Sequence, residues 1–208
     1  MGVSLERVAY YLSVITLVTV PATLAAWLVL HPLAAFWRRA GVGKSVAAIT
    51  FVVLGTMWGM YLVREPLLRV GFGMRSSLVG ASGVLLAMSF YMNVLVYRVT
   101  PKAMALGLAE LGVGDGGRLV TSGIYSRMRH PRFVAMFLAV TAVALFANRL
   151  ALYALSATYA AVIWIVAVLE ESELRVRFGA LYDAYRDKVP RFLPRLARLD
   201  LGSGRDAT

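Results

Sequence analysis

FVAMFLAVTAVALFANRLALYALSATYAAVIWIVAVL, residues 133–169, contains a single charged side chain, Arg149. Sixteen uncharged residues precede it and twenty follow it. At 1.5 Å per residue, twenty helical residues cross the ~30 Å hydrocarbon core of a bilayer, whereas sixteen fall short of it. One arginine is too short a connection for anything but an abrupt reversal. The stretch therefore reads as a tight helical hairpin, its second arm of full spanning length and its first arm shorter.

Working outward, three more uncharged runs occupy residues 8–30, 46–63 and 76–97. The expected fold is an all-α integral membrane protein of about five transmembrane helices, the last two forming the hairpin. Four spans plus a re-entrant hairpin is the alternative. The first run is about 23 residues, longer than the 7–15 apolar residues of a signal peptide, so it reads as a retained helix. Composition agrees with burial in lipid: 60% of the 208 residues are hydrophobic and 16% charged, with a mean hydropathy of +0.71. Soluble domains are nearer half apolar and a quarter charged. Disorder, which needs few apolar residues and high charge, is excluded.

The net charge of +11 admits nucleic acid, an anionic ligand or anionic lipid as partner. With so apolar a chain, membrane lipid is the reading and nucleic acid is not. The absence of cysteine excludes disulfides, iron–sulfur clusters and a thiol nucleophile. With two histidines, His31 and His130, no His-rich metal site is expected. Seventeen of the 22 basic residues follow spans one, three and five, and five lie elsewhere. The positive-inside rule then places the N-terminus outside and the C-terminus in the cytoplasm of a cell (inner) membrane.

Two polar regions face the cytoplasm in this arrangement. Residues 98–132 carry Pro101 and the glycines Gly112, Gly114, Gly116 and Gly117, which read as a flexible turn. No strand precedes the glycines, so they make no dinucleotide-binding loop. The tail from Glu170 continues the fifth helix, with Leu174, Phe178, Tyr182 and Tyr185 on one face. Such a pattern suits an amphipathic helix lying on the membrane surface or packed on the loop, ended by Pro190 and Pro194. Residues 202–208 are expected to fray.

The hairpin returns two polar clusters to one place: Tyr125, Arg127, Arg129, His130 and Pro131 before its first arm, and Glu170, Glu171 and Glu173 after its second. Ionisable groups at a membrane edge are paired, functional or both. One reading is an interfacial salt-bridge set that anchors the hairpin ends. The other is a binding site, because Pro131 starts a helix whose free N–H groups suit an anionic ligand.

These residues also carry a resemblance. LVTSGIYSRMRHP (119–131) and EESELRVRFGALYDAYRDKVPRFLP (170–194) are similar to the motifs of the integral-membrane isoprenylcysteine carboxyl methyltransferase family, to which phospholipid N-methyltransferases are related. The likeness covers about residues 117–194, and leaves residues 1–97 as a three-helix scaffold on the acceptor side, ahead of a cofactor-binding part, 98–208. The resemblance implies S-adenosylmethionine (SAM) as cofactor, a lipophilic small-molecule or lipid acceptor, and no metal. By position, Gly117, Arg118, Leu119, Val120, Tyr125, His130, Pro131, Arg132, Phe133 and Glu170 would line the cofactor. Arg129 suits the cofactor's carboxylate, and Glu171 or His130 is the candidate base for an acceptor that must lose a proton.

The chain departs from the family pattern in three places. Phe133 stands where the family has tyrosine, Ala135 where it has glycine, and Val166 where carboxyl-methylating members carry an arginine that grips the substrate. With Val166 on the acceptor wall, an uncharged lipophile is favoured over a prenylcysteine carboxylate. Two alternatives stay open on sequence alone. One is an NADPH-dependent reductase of the sterol-reductase type, whose R-H-P-N-Y-x-G-E is only partly matched by RHPRFVAM. The other is a non-catalytic membrane scaffold.

Overall fold

The computed structural model describes residues 4–100 and 118–193. The expectations placed on Pro101, the Gly112–Gly117 cluster, Pro194 and residues 202–208 lie outside the described residues. Eight α-helices occur among those described: α1 (Leu5–Leu30), α2 (Ala34–Ala40), α3 (Val42–Leu62), α4 (Arg64–Leu68), α5 (Ser76–Val99), α6 (Pro131–Ala147), α7 (Leu150–Phe178) and α8 (Ala180–Lys188). A 3₁₀ turn, Gly123–Ser126, precedes α6. No strand is present among the described residues, only an isolated bridge between Gly71 and Arg149.

α1, α3, α5 and α7 are long and apolar enough to cross a membrane; α6 is apolar but has 17 residues. It would span about 25 Å, short of the hydrocarbon core as its sequence implied. Exposed apolar side chains such as Phe51, Leu54, Trp58, Val84, Leu86 and Phe90 cover α3 and α5. In water such a surface would drive aggregation; in hydrocarbon it is the solvated face.

The core lies between α1, α6 and α7, where Val20, Leu24, Phe133, Val140, Leu152, Tyr159 and Ile163 are buried together. α5 packs along α6. Ala135, Ala142 and Ala144 are buried on α6, and small residues there let helix backbones approach. A Ser89 hydroxyl on α5 donates to the Ala135 carbonyl at 2.7 Å, joining the two helices. Small polar groups add to such packing because lipid tails offer no hydrophobic drive between helices.

The hairpin turn is two residues, Asn148 and Arg149. Asn148 adopts a left-handed conformation (φ 47°), which asparagine tolerates better than other side chains. Its side-chain amide donates to the Gly73 carbonyl at 2.7 Å and its oxygen accepts from Tyr153 at 2.8 Å. Backbone bonds from Phe72 to Asn148 and from Leu150 to Val70 tie the turn to the segment that follows α4. The reversal is thus held from outside as well as by its own geometry.

At the other end α7 runs on past its apolar stretch, to Phe178. Gly179 (φ 52°) then breaks the helix before α8 begins. The expected face of Leu174, Phe178, Tyr182 and Tyr185 is therefore shared by two helices. The glycine turns α8 back toward the bundle, and Tyr182 is buried against it.

Asn148→Ala is expected to destabilise the protein by about 2 kcal/mol. Roughly half of that is the left-handed penalty of a Cβ carrying no polar group, and half the lost side-chain bonds. Thermal unfolding in detergent measures it, and an unchanged midpoint would mean that the turn does not hold the hairpin.

Candidate cofactor site

The two ends of the hairpin meet as the sequence arranged them, and the strand of contacts begins at Glu171. This carboxylate is buried, with a relative exposure of 7%. Its Oε1 accepts from Arg129 Nε and Nη2 at 3.1 and 2.9 Å, and from Arg191 Nε at 2.8 Å. His130 Nε2 lies 3.0 Å from the same oxygen, and Arg191 Nη2 donates to Oε2 at 2.8 Å. Both oxygens of Glu171 are thereby engaged. Arg129 is equally committed: its Nη1 donates to the carbonyls of Arg186 and Val189 at 2.9 and 2.6 Å.

Backbone bonds complete the joint. Arg129 and His130 donate their N–H groups to the carbonyls of Pro190 and Arg191 at 2.9 and 3.0 Å. Tyr185 donates its hydroxyl to the Tyr125 carbonyl at 2.7 Å. The segment after α8 is thus stitched to the segment before α6, and Arg191 also sits 4.8 Å over the Trp164 ring. Sequence reasoning placed Pro190 as a helix end and missed Arg191 as a partner. Its signal was only a basic residue directly after a helix-ending proline.

His130 has a carboxylate at each ring nitrogen, Glu171 at Nε2 and Glu170 at 3.4 Å from Nδ1. Burial pulls the imidazole down, but hydrogen bonds and charge from Glu170 and Glu171 outweigh it and hold the group above its ordinary value. The imidazole stacks on Phe133 with the rings parallel and 5.1 Å apart, and Phe133 in turn meets Trp27 of α1 at 5.0 Å.

Above this joint lies a cavity. Of the residues expected at the cofactor, Leu119, Val120, Tyr125, His130, Pro131, Arg132, Phe133 and Glu170 line it, together with Arg129. Gly117 lies outside the described residues, and Arg118 is exposed and away from the lining. Glu171 sits behind the wall rather than on it. Val166 is fully buried in the core between α1, α6 and α7 and does not reach the cavity. An uncharged side chain there follows from core packing.

The rest of the lining was not singled out from sequence. Trp27, Leu30 and His31 come from the end of α1, and Asn93, Val96, Tyr97 and Thr100 from the end of α5. Tyr182 and Tyr185 close it from α8. The Tyr182 hydroxyl is buried and has no hydrogen-bond partner among the described residues. An unpaired buried hydroxyl costs about 1–3 kcal/mol, so it marks a place where a polar ligand group belongs. Burial raises the Tyr125 and Tyr185 phenols, and both stay neutral donors. The His31 Nδ1 stands 3.7 Å from the Glu173 carboxylate.

The wall chemistry is mixed by design of the fold. Helix α6 presents its first-turn N–H groups, and Arg132 follows Pro131 there, an arrangement suited to an anion. Glu170 keeps a side-chain exposure of 29% and faces the cavity as a carboxylate suited to a cation or hydroxyls. Aromatic rings and aliphatic side chains from two membrane spans supply the remainder. Among the described residues no group of three or more acidic or histidine side chains could hold a metal ion.

The family model described as phospholipid methyltransferase matches residues 77–180, half of the chain, running from α5 through the hairpin to the start of α8. No curated protein and no solved structure matches the chain.

Two outcomes follow from the joint. Glu171→Gln leaves Arg129, Arg191 and His130 without their common counter-charge and should cost about 3 kcal/mol of stability. Chemical or thermal unfolding in detergent reads this, and a loss below ~0.5 kcal/mol would show that the cations find other partners. Because the His130 value is raised on folding, its contribution is fully present below the unfolded value of about 6.5 and is lost as pH rises through the folded one. The melting temperature should therefore fall on alkalinisation across that window, and His130→Gln should flatten the profile. A profile equally steep in the variant would assign the pH dependence elsewhere.

Proposed function

The chain belongs to the phospholipid methyltransferase family, a family of membrane methyltransferases acting on lipid-like substrates, and from that premise we propose that it transfers a methyl group from SAM to a lipophilic acceptor entering from the bilayer. The observation that carries the reading is the composition of this cavity. Its floor is polar and built by the segment before α6 and the end of α7, while its upper wall is made by the ends of two membrane spans. A soluble, charged cofactor and a greasy acceptor need such a junction.

SAM, when bound, supplies a methyl group on a sulfonium together with a carboxylate, an ammonium and ribose hydroxyls. The residues present fit it. Arg132 and the first turn of α6 suit the carboxylate, and Glu170 the ammonium or the ribose. Tyr125 and Phe133 offer ring faces to the adenine or the sulfonium. The orphaned Tyr182 hydroxyl gains a partner. Arg129 and Glu171 hold these walls in position through the joint described above, since their polar atoms are engaged by the protein.

For an acceptor with a proton to lose, His130 is the candidate base that stands on the cavity wall, with Glu171 behind its Nε2. Burial in this cavity excludes water and orders the reactants, which supplies most of the acceleration in an in-line displacement. The excess of basic residues at this end of the bundle supports a cytoplasmic orientation for the site.

Calorimetric titration of the detergent-purified protein with S-adenosylhomocysteine, with NADPH as matched control, tests the proposal. Micromolar binding of the homocysteine compound alone is expected, weakened at least tenfold (about 1.4 kcal/mol) in Glu170→Gln with the fold retained. Binding of NADPH alone would replace methyl transfer by reduction. Binding of neither compound to folded protein would leave a scaffold.

A further inference from the structure

At the end of the bundle remote from the cofactor cavity lies a second, more open cavity, lined by Tyr10, Glu65, Pro66, Leu68, Arg69 and Arg149. Along α1, Tyr10 and Trp27 stand about 25 Å apart, so the two cavities belong to opposite faces of the membrane. No residue is shared between them.

Arg149 is the centre of this second site. The hairpin turn fixes its backbone, through the bonds of its neighbours to Val70 and Phe72. One amino group of its guanidinium, Nη1, donates to the Leu68 carbonyl. Its Nε is buried and has no acceptor among the described residues. The carboxylate on the cavity wall does not supply one: Glu65 accepts from the Tyr10 hydroxyl at 2.7 Å and lies 3.5 Å from Arg64. The guanidinium carbon stands 5.9 Å from the Tyr10 ring centroid, a cation–π contact that gives Nε no hydrogen-bond acceptor. Arg69, exposed, completes the cationic side of the cavity.

A guanidinium held rigidly by one edge, with a buried N–H left over, is matched by a planar or tetrahedral oxyanion that takes two of its donors at once. The neighbourhood of the cavity tells which oxyanion. Next in sequence to its lining, Tyr11, Leu67, Val70 and Leu150 are exposed, as is Phe72. An anion that brings hydrocarbon with it would cover these side chains. We propose that this cavity binds the phosphodiester headgroup of a membrane phospholipid, with Arg149 and Arg69 on the phosphate and the acyl chains lying over the exposed apolar rim. The lipid held here belongs to the leaflet opposite the methyl-transfer site, so the proposal stands whatever the acceptor proves to be.

The test uses the full chain in a neutral detergent, stripped of lipid, with dioleoyl phosphatidylglycerol, dioleoylglycerol and inorganic phosphate as three separate probes. Native mass spectrometry counts retained lipid and thermal unfolding reads affinity. Phosphatidylglycerol should be retained and raise the Tm by several degrees, while dioleoylglycerol and inorganic phosphate should leave it within a degree. Arg69→Ala, which removes an exposed side chain, should weaken the phospholipid effect about tenfold and leave S-adenosylhomocysteine binding unchanged. Arg149→Lys keeps the charge but loses the fork and should do the same. Stabilisation by inorganic phosphate alone would make this a free-anion site and overturn the lipid assignment. Equal stabilisation by dioleoylglycerol, or undiminished phospholipid binding in Arg69→Ala, would overturn the headgroup assignment.

Discussion

A carboxylate with two arginines and a histidine on it, at the end of a helix that has just left a bilayer, governs this molecule. Glu171 alone would be costly to bury, and so would Arg129, Arg191 or a protonated His130. Together they neutralise one another, and each brings a different piece of chain. Arg129 and His130 bring the segment ahead of α6, Glu171 brings α7, and Arg191 brings the stretch beyond α8. The cavity exists because these three pieces are held at one point, with its polar walls facing away from the joint that fixes them.

The bilayer explains why the arrangement is so local. Within hydrocarbon every backbone group must be satisfied inside its own helix, so the spans can carry little besides packing. Chemistry is displaced to the ends, where helices stop and N–H groups, carbonyls and charges come free. The two cavities described lie at such ends. The connection between them is the pair α1 and α7, whose side chains with α6 form the core, so the distance from one site to the other is set by helix length.

The spans were legible in the sequence because hydropathy needs no knowledge of neighbours. The hairpin was legible for the same reason, since a single arginine between two apolar runs permits only a sharp turn. The convergence of the Arg129 and Glu170 clusters followed from that turn. What could not be read was which polar atom faces which. Glu171 looked like its neighbour Glu170 in sequence, yet a 100° step around the helix puts one behind the wall and the other on it. Val166 lies four residues before Glu170 and was read as facing the acceptor, but packing against α1 and α6 encloses it. His31 and Asn93 reach the site from elements far away in sequence and carried no local signal. The short helices α2 and α4 were also missed, being too brief for hydrophobic periodicity to reveal. Arg149 was seen as a separator, and its buried nitrogen could be found only in three dimensions.

The return of the chain after Gly179 has a consequence for how the protein is made. Synthesis delivers both arms of the hairpin to the membrane before Arg191 exists, so Glu171 enters its place with part of its counter-charge missing. The joint closes only when α8 has folded back and laid Pro190 and Arg191 against Arg129 and His130. Assembly of the site is therefore the last event in the biogenesis of the described part of the chain. Until then the half-built cavity lacks Tyr182 and Tyr185, the part of its wall that α8 supplies.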